Sequence, residues 1–90
     1  MIVILQDKTT AIDANLIKSV KINYAGGSTN LTATLKKSEG EEKIILGVYD
    51  SASDVDKVFT TFCEHWAGGY YLFQMPVSVE ELHVKHSFFD

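Results

Sequence analysis

The chain contains no arginine: all eight basic residues are lysines, set against twelve carboxylates for a net charge of −4. Arginine supplies the planar fork that reads phosphates and guanine edges. Its absence beneath an acidic total argues against a nucleic-acid partner. A single cysteine, Cys63, excludes any disulfide within the chain, which agrees with a cytoplasmic setting. The single proline, Pro76, is too little punctuation for an interdomain linker. Residues 1–90 therefore read as one domain, with a compact core over 1–76 and a tail over 77–90. No apolar run approaches the roughly 20 residues needed to cross a bilayer. Asp7 and Lys8 follow the opening apolar run too early for a signal peptide, so no membrane association is expected. Gly-x-Ser-x-Gly, a glycine-rich phosphate loop and a carboxylate pair on neighbouring strand ends are all missing. We expect no catalytic residue, no cofactor and no enzyme.

What is present has ordinary globular proportions, 46% hydrophobic and 22% charged, which excludes disorder. "MIVIL" (1–5) is a continuous apolar run of the kind found in covered strands. "QDKT" (6–9) reads as a turn, "TAI" (10–12) as a short returning strand and "DAN" (13–15) as a second turn. Val20, Ile22 and Tyr24 alternate with Lys21 and Asn23, and Leu31, Ala33 and Leu35 alternate with Thr32, Thr34 and Lys36. Gly26-Gly27 lies between the two, so this stretch reads as a hairpin. A polar loop "SEGEE" (38–42) then leads into a strand "KIILGVY" (43–49).

At residue 51 the period changes. Ser51 reads as a helix N-cap with Asp54 three residues on, and Val55, Val58, Phe59, Phe62 and Trp66 form one apolar stripe at helical spacing. Gly68-Gly69 ends the helix, "YYLFQM" (70–75) reads as a further strand, and Pro76 stops it. In the tail, Ser78 and Glu81 suit a short capped helix, while Leu82, Val84, His86 and Phe88 alternate as a strand would. A short helix or irregular tail is the favoured reading.

"FCEHW" (62–66) sets a thiol, a carboxylate and an imidazole side by side. On a helix, Cys63 and His65 point about 200° apart and cannot share a ligand. Cys63 falls at the edge of the apolar stripe, His65 on its boundary and Glu64 in water. His83 and His86 would share a helix face, but two imidazoles without a third ligand do not make a zinc site, so no metal is expected. Lys18, Lys21, Lys36 and Lys37 form a basic strip on the hairpin, of the kind that keeps a sheet soluble. The aromatic residues Tyr70, Tyr71, Phe73, Phe88 and Phe89 are candidates for an interface. Tyr70 and Tyr71 point to opposite faces of a strand, so one of them faces outward.

Two stretches, "MIVILQDKT" (1–9) and "EKIILGVYDSASDVDKVFTTF" (42–62), resemble a family of small uncharacterised proteins from low-GC Gram-positive bacteria and their mobile elements. The resemblance extends to a Met-Pro pair, here Met75-Pro76, while the tail beyond departs from the shorter pattern. It implies a strand-rich, single-helix fold and assigns no activity. The order of elements also resembles pleckstrin-homology-like small barrels, in fold alone.

The expected architecture is α+β: an antiparallel, curved sheet or small open barrel of five to six strands, with helix 51–67 packed on it. The expected function is a non-enzymatic binding or assembly module that associates with itself or with another protein. The alternative is a small-molecule or metal-binding accessory protein with a pocket between helix and sheet.

Overall fold

The computed structural model describes residues 1–24 and 28–81. The Gly26-Gly27 turn and the tail residues His83, His86, Phe88 and Phe89 lie outside the described residues, and the readings made on them with it.

Six strands and one main helix follow each other in the order β1 (Ile2–Ile4), β2 (Ala11–Asp13), β3 (Ile17–Asn23), β4 (Thr29–Lys37), β5 (Gly40–Tyr49), α1 (Ala52–Ala67) and β6 (Leu72–Gln74). The α+β class holds. The strands form two three-stranded sheets, β2-β1-β6 and β3-β4-β5, rather than one. Among the described residues neither sheet closes into a barrel. The second correction is direction: β6 runs parallel to β1, pairing Val3 with Phe73. A connection of nearly seventy residues separates the two strands, so no local signal could announce the pairing.

Local chemistry explains the turns. Asp7 accepts from the N–H groups of Thr9 and Thr10 at 2.9 and 3.0 Å, closing the loop that returns β2 antiparallel onto β1. Asp13 accepts from the Asn15 N–H and opens a 3-10 turn at Ala14–Leu16. The β3–β4 hairpin has the expected inward pairs, Val20 with Ala33 and Ile22 with Leu31. Tyr24 departs from the alternation: it lies beyond the end of β3 and is exposed. "SEGEE" is not a loop either. Lys37 pairs with Gly40 and Lys36 with Glu41, so β4 and β5 turn within two residues. The charges that suggested a loop belong to the exposed end of a hairpin.

Both outer strands of this sheet carry an irregularity. In β3 the register shifts between Ile17 and Ser19, and in β5 between Ile45 and Gly47, which oppose Thr32 and Leu31 and leave Leu46 as the extra residue. A bulge inserts one residue and reverses which face the following side chains occupy. This reversal lets Ile17 and Val20, and Leu46 and Tyr49, each three apart, point into one core.

Helix α1 begins as expected, Ser51 Oγ accepting from the Asp54 N–H at 3.1 Å. Its buried seam is Val55, Val58, Phe62 and His65, with Phe59 and Trp66 half-buried at the flank. The seam is thus rotated by about 40° from the stripe of apolar residues. Two expectations change with it: His65 is buried, 9% exposed, and Cys63 turns out to solvent. The cause is Phe73, whose ring meets Phe62 at 5.3 Å and His65 at 5.2 Å, both edge-on. The helix rolls toward the strand that follows it.

The two sheets are joined through Gln6. Its backbone N–H donates to the Leu46 carbonyl at 3.0 Å. Its side-chain amide accepts from the Val48 N–H and donates to the Val48 carbonyl, both at 2.9 Å. One glutamine thereby satisfies the outer backbone groups of β5 where the bulge has disturbed them. The Pro76 carbonyl completes the node, accepting from Gln6 Nε2 at 3.2 Å and from the Tyr49 hydroxyl at 2.8 Å.

Candidate functional site

The helix stop and the strand after it form one unit. Gly69 has φ of +77°. The Tyr70 N–H donates to the His65 carbonyl at 3.1 Å and the Gly69 N–H to the Trp66 carbonyl at 3.2 Å. These are the two bonds of a Schellman stop, which favours a side-chain contact between the residues at its ends. Here that contact is the stack of Tyr70 on His65, with ring centroids 4.3 Å apart and planes within 4°. His65 is therefore part of a helix terminus.

The stop delivers the chain into β6 with its backbone bonded toward β1. The Ile2 N–H donates to the Tyr71 carbonyl at 2.7 Å, and the Met75 N–H to the Ile4 carbonyl at 2.8 Å. In a parallel ladder this places the N–H and C=O of Phe73 on β1 as well. The N–H and C=O of Leu72 and Gln74 then point the other way. β6 is the end strand of its sheet, and among the described residues no strand covers those four groups.

Side chains follow the same alternation. Phe73 is 4% exposed and belongs to the core, so of the five expected interface residues it is a foundation rather than a contact surface. Leu72 is 39% exposed, beside Ile2 of β1, its register partner. Tyr71, at 91%, stands almost wholly in solvent. The expected strand over 70–75 is shorter than its apolar run: both tyrosines precede β6 and both are exposed, Tyr70 with one ring face on His65.

The other sheet edges are protected, each by a recognised device. β3 carries exposed Lys18 and Lys21 and a bulge. β5 carries Glu41, Glu42 and Lys43 at one end and is bonded by Gln6 at the other. β2 is three residues long and ends in Asp13, with Asp7 and Lys8 in the loop before it. β6 shares the short length of β2, three residues, and is followed by Pro76; what it lacks is charge, since residues 70–79 contain none.

Although Cys63 is exposed, partial desolvation by its neighbours pushes the thiol above its ordinary pKa, away from the thiolate that a nucleophile needs. Within the same residues no three histidine, cysteine or carboxylate side chains come together as metal ligands, and no helix is long and apolar enough to cross a membrane. The basic strip is partly neutralised: Lys18 pairs with Glu41, which holds that carboxyl below its usual range, and Lys37 pairs with Glu42 at 2.8 Å. The seam between helix and sheet is filled by Val55, Val58 and Phe62, none with exposed surface. A hollow of about 180 Å³ lies instead beside the helix start, lined by Tyr49, Asp50, Asp54 and Glu80 among others. It is smaller than the roughly 300–1,000 Å³ of ligand pockets.

Comparison with protein-family models, with curated proteins and with solved structures returns no match to this chain. Two features of the site escaped the sequence reading. Gln6 has no sequence signal, because its role depends on a strand forty residues away. Tyr49 has one: Gly47, two residues before it on the same face of the strand, leaves room for a ring.

Proposed function

We propose that this protein is a non-enzymatic binding or assembly module that takes up its partner by strand addition at β6. The observation that supports the reading is the contrast in charge among the edges: three carry or adjoin charged residues, and the fourth has outward Leu72 and Gln74 backbone groups, an exposed Tyr71 and no nearby charge in sequence. Strand addition draws affinity from such main-chain groups and specificity from alternate side chains. Tyrosine is favoured at contact centres because it offers large area on a short, stiff side chain. The partner in this reading is a protein. Nucleic acid fits poorly, since among the described residues Lys8, Lys18 and Lys37 are each paired to a glutamate and arginine is absent from the sequence. The exposed Cys63 thiol suits a reducing compartment, which supports a cytoplasmic location.

The test compares wild type with Leu72→Lys, which places a charge at the edge, and Tyr24→Lys, which places one on the other sheet. Partner retention should be lost with Leu72→Lys and kept with Tyr24→Lys. Equal retention by all three proteins refutes strand addition at β6.

A further inference from the structure

The reading above leaves the added strand unidentified; resting on it, we propose that the strand is β6 of a second copy, paired antiparallel about a two-fold axis at Phe73. A two-fold contact uses one surface twice and must be complementary to itself. For a chain of net charge −4, an uncharged surface lets two copies meet without opposing like charges. Residues 70–79 supply ten consecutive uncharged positions, while each of the other edges carries or adjoins charged residues.

The geometry of β6 fits this pairing. Its outward backbone groups belong to Leu72 and Gln74, which flank Phe73 symmetrically. Antiparallel pairing centred on Phe73 sets Leu72 opposite the second copy's Gln74, and the reverse. Each such pair exchanges both of its N–H···O=C bonds, so all outward groups on both strands are satisfied. The same register sets Tyr71 opposite the second copy's Met75 and brings the most exposed aromatic ring of this segment to the contact. Leu72 and the second copy's Leu72 become diagonal neighbours on the outer face. Since Ile2 flanks Leu72 on that face, an apolar row runs Ile2, Leu72, Leu72, Ile2 across a continuous six-stranded sheet. Three paired residues on each side make a small contact, in the class below roughly 1,200 Å². The dimer is therefore reversible, with a dissociation constant on the order of 10 µM or weaker.

The experiment is sedimentation equilibrium on the full chain from about 1 to about 500 µM, with amide hydrogen exchange read at both ends of the range. The mass should rise from 10.0 kDa toward twice that value, and the Leu72 and Gln74 amides should exchange more slowly as concentration rises. Leu72→Lys should weaken association at least about tenfold; Tyr24→Lys should leave it within about twofold. A dimer that Leu72→Lys does not weaken, or that leaves both amides unchanged, overturns the proposal. A monomer at every concentration also overturns it, and the exchange data then separate two cases. Fast Leu72 and Gln74 amides mean an open edge, so that strand addition by a different protein still stands. Slow amides independent of concentration mean that this chain's own residues cover the edge, and strand addition falls as well.

Discussion

Replacing Gly47 with alanine tests the node that holds the two sheets together. A Cβ on Gly47 would lie 2.7 Å from the Tyr49 hydroxyl oxygen and 3.0 Å from two ring carbons. Contacts that short force a movement. The ring cannot swing freely, because Tyr49 is buried and its hydroxyl donates to the Pro76 carbonyl at 2.8 Å. Overpacking of this kind costs about 1–3 kcal/mol. If the ring withdraws far enough to break the bond to Pro76, roughly 1 kcal/mol more is lost. The reduced freedom of the unfolded chain returns about 0.4–1 kcal/mol. The balance is a loss of about 2–3 kcal/mol, or some 10–20 °C in Tm for a domain of this size. Urea denaturation of wild type, Gly47→Ala, Tyr49→Phe and the double variant measures it. The hydroxyl is the nearest obstacle, so Gly47→Ala should cost about 1 kcal/mol less in the Tyr49→Phe background, a coupling expected for touching residues. A Gly47→Ala protein as stable as wild type would refute the reasoning, since the ring would then have somewhere else to go.

Three further outcomes follow from the same structure. Phe62 has no exposed surface and touches Trp66 and Phe73, so Phe62→Ala should destabilise by about 3–5 kcal/mol in equilibrium unfolding. Gly69→Ala should cost about 1–2 kcal/mol, because φ of +77° disfavours a Cβ even where nothing else stands in its way. Tyr49 ionises in the unfolded chain near its ordinary 10.0 and is raised well above that in the fold, first by burial and then by the nearby Glu81 charge. Its contribution is fully present below about pH 10 and is lost as the pH rises beyond it; unfolding midpoints that stay level to higher alkalinity in wild type, with the same profile in Tyr49→Phe, would contradict this.

The legible parts of the fold were local ones. The β3–β4 pairing, the Ser51 cap and the glycine stop after the helix each rest on residues close together in sequence, so strand periodicity and helix-capping chemistry sufficed. Leu46 and Tyr49 carried a further signal that went unread: two inward apolar residues three apart in a strand require a bulge. The roll of α1 toward His65 was not legible, since the apolar stripe alone points elsewhere; only the position of Phe73 decides it. Nor was the division into two sheets, which depends on β1 and β6 meeting from opposite ends of the chain.

The candidate site was legible in a different way, through what its residues do not need to be. Phe73 must be apolar because it fills the core between Phe62 and His65. Leu72 and Tyr71 answer to no such demand: one is 39% and the other 91% exposed, and a lysine at either position would leave the interior untouched while guarding the edge. This chain uses that device on β3 and β5, with Lys18, Lys21 and Lys43. Folding alone therefore supplies no reason for β6 to go without it. An unguarded edge carries a standing risk of indiscriminate pairing, which a strand of only three residues, closed by Pro76, keeps small. Short length limits the hazard and still leaves the outward Leu72 and Gln74 backbone groups that the proposed pairing uses.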